Sequence, residues 1–279
     1  SEHYNVNNDS SYAQGDLKNM KVTLNEASIS VKGSLCKYFY GNNIDTLNLT
    51  NTREALNQIS ADLSIDIHKA SVSRIDFSTN IVTDFTPTIY YPYLGQLSRF
   101  ERYEQPNSIY YNQQAKRLLF YDKIEEAKNK GMTIPKQHIG DNLLRYELVL
   151  NKGISRYLKY NGLYALDLGS EELFKKLLHL WYSYYQQIQK HSKKLNPMED
   201  KIINPSTFKN EMYNALVRKN PDEFYKMVAE LKAKKKFKHP EYYSRINAEI
   251  RKIQKTQVVD NELMDELNKK IEGIYLELI

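Results

Sequence analysis

Hydrophobic residues recur with one spacing along the first half of the chain and with another along the second half. From Met20 to about Asn151 they fall mostly at every second position, which indicates strands, and one helical stretch interrupts them. From Ser170 to Ile279 the spacing is almost wholly that of helices. The change of period predicts a domain boundary at residues 151–169.

Residues 20–160 are predicted to form one α+β domain, with an antiparallel sheet and helices on one of its faces. Alternating patterns predict strands at residues 20–24, 28–32, 71–79, 108–112, 117–123 and 144–150. A helix is predicted at residues 52–63, where apolar residues lie three and four positions apart. Residues 1–19 are a polar segment, and no strand pattern is found before Met20.

Residues 170–279 are predicted to form an all-helical region. Ser170, which two glutamates follow, has the pattern of a helix N-cap, and Asn220 before a proline begins another helix. Pro240 and Asp260 mark two further helix starts. Two interpretations stay open for this region: a helix-turn-helix that reads DNA, and a helical bundle that braces the first domain.

The composition is that of an ordinary globular protein, with 41% hydrophobic and 27% charged residues. No apolar run approaches the roughly 18 residues of a membrane span, so we expect no membrane contact. The single cysteine, Cys36, excludes an internal disulfide and suits the reducing cytoplasm. A formal net charge of +6 fits a polyanionic partner.

Three of the predicted strands carry polar side chains at positions i and i+2, which places each pair on one face of a sheet. The pairs are Arg74 with Asp76, Tyr121 with Lys123, and Arg145 with Glu147. If these strands are neighbours, two carboxylates, two arginines, a lysine and a tyrosine collect on one face. The pattern by itself favours a solvated face with cross-strand ion pairs, and a catalytic site is the alternative.

The same segments resemble the replication initiators of filamentous phages. Arg74-Ile75-Asp76, Tyr121-Asp122-Lys123 with Glu126, and Arg145-Tyr146-Glu147 are similar, in the same order, to the R-I-D, Y-x-K-x-x-E and R-[FY]-E blocks of the gene-II/X initiators and related plasmid initiators. Residues 108–112 and 155–159 also resemble segments of that family. The resemblance covers about residues 20–170 and implies an antiparallel core of the HUH-nickase or RRM-like kind. The family's own pattern begins with a strand that the sequence does not show before Met20.

The resemblance implies a rolling-circle replication initiator of a phage or plasmid, which nicks one strand of origin DNA. The tyrosine of the Y-x-K block is the family's nucleophile and falls on Tyr121, which would form a 5′-phosphotyrosine adduct, leave a free 3′ hydroxyl and later rejoin the strand. A free phenol has a pKa of about 10 and is protonated at neutral pH, so Tyr121 needs a nearby cation that favours the phenolate. Lys123 would favour the phenolate or neutralise the scissile phosphate. A relaxase or transposase-type nickase, and a module that binds single-stranded nucleic acid without cleaving it, are the alternatives.

A divalent cation is the expected cofactor. Many nickases of this class hold a metal with a His-hydrophobic-His pair, but the six histidines of this chain form no such pair. Oxygen ligands remain, with Asp76 and Glu147 first and Glu126 third, which favours Mg²⁺ or Mn²⁺. The alternative for Asp76 and Glu147 is pairing with Arg74 and Arg145.

Further side chains are expected to contact single-stranded or origin DNA. The candidates are Arg74, Arg117, Arg145, Tyr110 and Tyr111. The two tyrosines would stack on bases or supply a second nucleophile, although tyrosine in a strand also fits packing. The basic stretches 190–194 and 232–238 fit phosphate binding and solvated helix ends alike. A host helicase or polymerase is a further expected partner.

Overall fold

Two antiparallel sheets form the β structure of the chain, of which the computed structural model describes residues 3–7, 10–190, 202–255 and 262–279. The first sheet has four strands in sequence order: β1 (His3–Asn7), β2 (Ser10–Leu17), β3 (Met20–Asn25) and β4 (Ser28–Lys32). The second has five strands: β5 (Ile75–Thr83), β6 (Glu101–Gln105), β7 (Ser108–Asn112), β8 (Lys116–Asp122) and β9 (Asn142–Leu150). They lie side by side in the order β5-β9-β8-β7-β6.

Helices follow and connect these strands. They are α1 (Leu35–Tyr40), α2 (Leu49–Leu63), α3 (Lys123–Asn129), α4 (Ile154–Leu158), α5 (Glu171–Gln187), α6 (Pro205–Lys219), α7 (Pro221–Ala233), α8 (Glu241–Lys255) and α9 (Glu262–Leu278). The predicted α+β class with a helical C-terminal region is therefore confirmed. In the described part of the chain, no helix is both long enough and apolar enough to cross a membrane.

One face of the five-stranded sheet forms the main hydrophobic core. Phe120 of β8 and Tyr146 of β9 are fully buried there, and their rings stack with centroids 4.2 Å apart. The Trp181 indole nitrogen of α5 donates to the Tyr146 carbonyl at 3.2 Å, and the Tyr146 hydroxyl donates to the Trp181 carbonyl at 3.0 Å. These reciprocal bonds join α5 to the centre of the sheet, and we call this side of the sheet the core face.

The C-terminal helices pack in two separate places. Met264, Leu267 and Ile271 of α9 join α5 in the cluster on the core face. Helices α6, α7 and α8 instead share a small apolar cluster of their own, built from Val217, Val228, Tyr243, Ile250 and Ile253. The packing thus divides residues 170–279, which the sequence presents as one helical region, into two sheet-bound helices and a three-helix unit.

The four-stranded sheet packs with α1 and α2 around a second cluster, which contains Met20, Tyr38 and Leu56. Strands β1 and β2 occupy residues for which the sequence predicted no strand, so that expectation was wrong. Polar residues dominate this segment, and no apolar alternation marks it. Backbone pairing holds these strands instead: β1 pairs with β2, and β2 pairs with β3 in a register that places Leu17 opposite Met20.

The other predicted elements are confirmed with small shifts at their ends. The helix at 52–63 and the strands at 20–24, 28–32, 108–112, 117–123 and 144–150 all form. The strand predicted from residue 71 begins at Ile75, so Arg74 precedes it. The Ser170 hydroxyl caps α5 by accepting from the Leu173 amide at 3.2 Å. The helix start expected at Asp260 lies outside the described residues.

Candidate functional site

The side of the five-stranded sheet opposite the core carries a connected set of polar side chains, and we call it the polar face. Register brings them together, because β9 lies between β8 and β5. Arg145 of β9 lies opposite Tyr121 of β8 on one side and Asn80 of β5 on the other. Glu147 lies two residues further along the same face. The expected grouping of Tyr121, Arg145 and Glu147 is therefore present.

The hydroxyl of Tyr121 donates a hydrogen bond to Glu147. The distance from Tyr121 Oη to Glu147 Oε1 is 2.8 Å, and Arg145 Nε donates to the same oxygen at 2.8 Å. The Arg145 and Glu147 side chains are only 12% and 14% exposed, so this ion pair is well shielded from water. A phenol, a carboxylate and a guanidinium thus form one chain of hydrogen bonds.

Burial raises the pKa of the Tyr121 phenol well above its usual value of 10. The nearby positive charge of Arg145 acts in the opposite direction, and the Glu147 carboxylate raises the pKa further. The phenol is therefore protonated at neutral pH. It can react as a nucleophile only if a neighbouring group takes its proton, and Glu147 is the group within hydrogen-bonding distance.

The Arg145 guanidinium is held in place on every side. Nη2 donates to Ser78 Oγ at 2.6 Å, and Nη1 donates to the Asn43 carbonyl at 2.6 Å and to Asn80 Oδ1 at 3.3 Å. With the bond to Glu147, its donors are shared among four residues. A charged side chain anchored in this way presents its charge in one fixed position.

A short loop, residues 42–45, covers the polar face beside Arg145, and we call it the strap. Asn42 Oδ1 accepts from the amides of Ile44 at 2.9 Å and Asp45 at 3.0 Å, which makes the strap a tight turn. The Ile44 carbonyl accepts from Asn80 Nδ2 at 2.5 Å. Cys36 Sγ donates to the Asp45 carbonyl at 2.7 Å, and burial raises the pKa of this thiol to about 11. Cys36 therefore supports the strap as a protonated thiol.

Lys123 does not extend β8 as the sequence predicted. The strand ends at Asp122, whose side chain caps α3 by accepting from the Glu125 amide at 2.9 Å, and Lys123 is the first residue of that helix. Its Nζ is fully buried and donates to Asn43 Oδ1 at 2.9 Å and to Glu126 Oε2 at 2.7 Å. Burial lowers the Lys123 pKa, and the bond to Glu126 acts against that effect.

Lys123 nevertheless stays close to the proposed nucleophile. Its Nζ lies 5.8 Å from the centre of the Tyr121 ring. The prediction of a neighbouring cation thus agrees with the structure, whereas the reason given for it, a shared strand face, was wrong. The turn from strand to helix places the side chain there instead.

The three carboxylates expected to bind a metal lie in different surroundings. Both oxygens of Asp76 accept from Arg74, at 2.7 and 2.8 Å, on an exposed part of the sheet. Glu126 accepts from Lys123 and Lys130; burial alone would raise its pKa, but these two ammonium groups lower it below the usual value. Among the residues that the structure describes, no group of three or more His, Cys, Asp or Glu side chains could hold a metal ion.

Asp76 and Glu147 are still near neighbours on the polar face. Asp76 lies opposite Val149, two residues along β9 from Glu147, so the two carboxylates belong to diagonal neighbours, which are about 7–8 Å apart in a sheet and somewhat closer at their β-carbons. Oε2 of Glu147 accepts no hydrogen bond from the described part of the chain. These oxygens fit Mg²⁺ or Mn²⁺ held by one or two carboxylates together with a substrate phosphate, whereas Glu126 does not belong to the set.

The two tyrosines expected to contact DNA point to opposite sides of β7. Tyr111 is fully buried in the core, and its hydroxyl donates to the Leu94 carbonyl at 3.1 Å and the Gly95 carbonyl at 2.8 Å. Its expected role at the DNA was therefore wrong, because strand alternation places it with Ile109. Tyr110 lies on the polar face, with the Arg117 guanidinium carbon 6.0 Å from its ring centre.

Sequence reasoning missed three residues that hold the site together. Ser78 and Asn80 continue the alternate polar positions that begin at Asp76, so the same period could have identified them. Asn43 binds both Arg145 and Lys123, but it lies in an irregular turn, where no periodic pattern marks a residue. Only the fold brings it to the polar face.

Comparison with known proteins places the chain in a family. A family model for the N-terminal part of the phage gene II replication-associated protein matches residues 1–184, which include both sheets and most of α5. No curated protein and no solved structure matches the chain. Because the match spans more than half of the 279 residues, the chain belongs to this family of phage gene II-type rolling-circle replication initiators.

Proposed function

We propose that this replication initiator nicks one strand of origin DNA with Tyr121 as its nucleophile. The observation that carries the proposal is the 2.8 Å hydrogen bond from the Tyr121 hydroxyl to Glu147, on a sheet face where Arg145 holds the carboxylate. A nucleophile, a base and a group that orients the base are the parts that covalent catalysis requires. The position of Tyr121 in the segment that resembles the family's Y-x-K block supports the same choice.

The chemical step transfers a phosphoryl group from DNA to the tyrosine. Tyr121 Oη attacks the phosphorus of the scissile phosphodiester, and its proton moves to Glu147 Oε1. The bond from phosphorus to the 3′ oxygen breaks, and that oxygen takes up a proton from water to become a free 3′ hydroxyl. The 5′ phosphate stays esterified to Tyr121, so the energy of the broken bond is kept and reversal rejoins the strand without ATP.

The surrounding charges favour the phenolate as it forms. Arg145 is fixed by Ser78, Asn80 and Asn43, so its charge needs no rearrangement during the reaction. Lys123 places an ammonium group 5.8 Å from the centre of the Tyr121 ring, and its ion pair with Glu126 at 2.7 Å offsets part of that charge. Because its Nζ is fully buried and bonded to two acceptors, Lys123 acts on the phenol and does not contact the scissile phosphate.

A Mg²⁺ or Mn²⁺ ion would be held by Asp76 and Oε2 of Glu147. When bound, the ion supplies a Lewis acid that polarises the phosphate. The Arg74–Asp76 pair is exposed and is worth about 0–1 kcal/mol, so releasing Asp76 from it costs little. Arg74 would then be free to contact the DNA backbone, together with Arg117 and Tyr110 on the same face. In the bacterial cytoplasm, a host polymerase would extend the 3′ hydroxyl while a helicase displaces the strand.

Denaturing gel electrophoresis with a 3′-labelled single-stranded origin oligonucleotide and Mg²⁺ or Mn²⁺ tests this proposal. The label should appear in a covalent adduct that survives denaturation, since the tyrosine keeps the 5′ phosphate of the 3′ fragment. Tyr121→Phe should form no adduct, because phenylalanine lacks the attacking oxygen.

Tyr110→Phe and Tyr111→Phe are the matched controls, and both should still form the adduct. An adduct that persists in Tyr121→Phe would refute the assignment. Binding of the oligonucleotide without an adduct in the parent protein would instead make the polar face a surface that binds single strands and does not cleave them.

A further inference from the structure

The positive charge of the chain is concentrated in the three-helix unit. Residues 202–255 contain 13 Lys and Arg against six Asp and Glu, a net charge of +7. The rest of the chain contains 27 Lys and Arg against 28 Asp and Glu. The net charge of +6 therefore comes from a unit that lies apart from Tyr121 in the sequence and packs around its own apolar cluster.

Five lysines of this unit lie in the last turn of α7 and in the connection from α7 to α8. They are Lys232, Lys234, Lys235, Lys236 and Lys238, and all five are exposed. Within the described residues, Lys234 is the one of these five lysines that pairs with a carboxylate. Its Nζ lies 3.9 Å from Glu230. An exposed pair at that distance neutralises little charge. We call residues 232–239 the basic turn.

The basic turn has a fixed backbone. The Lys235 amide donates to the Lys232 carbonyl at 3.0 Å and the Lys236 amide donates to the Leu231 carbonyl at 3.0 Å, the two bonds of a Schellman motif. Lys235 occupies the left-handed position of this motif, with φ of 48°, where glycine is usual. A side chain in the left-handed conformation costs about 1–2 kcal/mol, so the geometry of the turn does not by itself favour a lysine at this position.

Aromatic packing attaches the basic turn to the three-helix unit. The Phe237 amide donates to the Tyr243 hydroxyl at 2.8 Å, and that hydroxyl donates to the Leu231 carbonyl at 3.2 Å. The rings of Phe237 and Tyr243 lie 5.0 Å apart. The lysines are thus presented from a rigid support, which reduces the ordering cost of binding.

The exposed aromatic residue beside the lysines, Tyr242, already contacts two other rings and a guanidinium. Tyr242 has the Phe237 ring 6.4 Å away, the His239 ring 5.3 Å away and the Arg245 guanidinium 5.8 Å away. Proteins that bind single strands combine positive charge with open aromatic faces. A surface that offers charge without such faces suits the two phosphate backbones of a duplex.

We propose that the basic turn is a binding surface for double-stranded DNA, separate from the polar face where the single strand is cut. It binds the phosphate backbone without reading the sequence, and it keeps the initiator on the duplex next to the origin. This inference goes beyond the proposed function and does not depend on the identity of the nucleophile.

Fluorescence anisotropy with a labelled duplex of arbitrary sequence, about 30 base pairs long, tests the proposal. All proteins carry Tyr121→Phe, so that binding is measured without cleavage and a failure of one proposal is not mistaken for a failure of the other. Replacing Lys232, Lys236 and Lys238 with Gln should weaken binding by about 10- to 100-fold. It should also reduce the slope of log affinity against log salt by about 2–3, since each phosphate contact contributes about 0.9 to that slope.

Lys235→Asn provides a second variant that cannot fail by unfolding the turn. Asparagine accepts the left-handed backbone more readily than lysine, so the melting temperature should stay or rise while the salt slope falls by about one. The matched control replaces three exposed lysines elsewhere, Lys21, Lys32 and Lys269, with Gln and should bind the duplex like the parent.

Three results would overturn the proposal. One is an unchanged affinity and salt slope in the Lys232, Lys236 and Lys238 variant. Another is an equal loss in the control, which would mean that overall charge and not the basic turn is responsible. The third is a loss confined to a single-stranded oligonucleotide of the same length, which would assign the basic turn to single strands.

Discussion

Two tyrosines on opposite faces of the same sheet donate their hydroxyl hydrogens to different kinds of acceptor. Burial raises the pKa of both Tyr121 and Tyr146. The Tyr146 hydroxyl donates to a backbone carbonyl of α5, which cannot accept a proton in a reaction. The Tyr121 hydroxyl donates to the carboxylate of Glu147, which can. Burial and a raised pKa therefore do not single out the proposed nucleophile. A carboxylate acceptor does not do so alone, because Tyr38 and Tyr90 also donate to carboxylates, those of Asp62 and Glu266. Tyr121 differs from them by its place on the polar face and in the family's Y-x-K block.

The two faces also contribute differently to the fold. On the core face, stacked rings and helices α5 and α9 exclude water from the sheet. On the polar face, the same strands carry Arg145, Glu147 and Tyr121 under a strap that is held by hydrogen bonds. Changes on the core face should therefore reduce stability first, and changes on the polar face should reduce activity first.

The largest expected effect is that of Glu147→Gln on the rate of nicking. Glutamine keeps the shape and an oxygen acceptor but cannot take the phenol proton, so the single-turnover rate of adduct formation should fall about 10²- to 10⁴-fold. Stability should change little. Glu125→Gln, the same change on the partly exposed side of α3, serves as the control. A Glu147→Gln rate within about threefold of the parent would rule out Glu147 as the general base.

On the core face, Tyr146→Ala should reduce the free energy of unfolding by about 3–5 kcal/mol, because it leaves a cavity against Trp181 and Phe120. Denaturant unfolding measures this loss. Tyr110→Ala removes the same side chain from the partly exposed polar face and should cost less than about 1 kcal/mol. Equal losses for the two variants would show that the faces do not differ in the way described.

A pH dependence should distinguish the buried ammonium of Lys123 from an exposed one. Its pKa is lowered below 10.5, so the unfolded chain binds more protons than the folded protein in the interval just below pH 10.5. The free energy of unfolding should therefore rise with pH in that interval, by less than about 1.4 kcal/mol per pH unit. Unfolding curves of the parent and Lys123→Met at several pH values measure the difference.

Lys130→Met, at the exposed partner of the same Glu126, is the control for that experiment and should leave the slope unchanged. The stability difference between the parent and Lys123→Met should change with pH. A constant difference would mean that folding does not lower the pKa of Lys123.

The smallest expected effect is that of Asn43→Ala in the strap. It removes one of the two acceptors of Lys123 and should cost about 1 kcal/mol of stability and a few-fold in nicking rate. Asn43→Asp keeps an oxygen acceptor beside Lys123 and should restore both. If Asn43→Ala behaves like the parent in both assays, the strap only covers the polar face and does not position its charges.

Much of the fold and part of the site follow from local patterns. The period of two predicted β7, β8 and β9 to within two residues at each end, and it placed Arg145 and Glu147 on one face. It failed for β1 and β2, because a polar strand is held by backbone pairing that leaves no apolar pattern. It failed at Lys123 as well, since the strand ends at the capping residue Asp122.

The sequence by itself determined the α+β class, the two faces of the sheet and, through the family blocks, the choice of Tyr121. Alternation along a strand is a local property, so the residues alone carry it. Tertiary structure decided that Glu147 accepts a hydrogen bond from Tyr121, that Asn43 reaches Arg145 and Lys123, and that α9 returns to the core. The contact between Asn43 and Arg145 joins residues 102 positions apart, and pairing and packing over such a range depend on the whole chain.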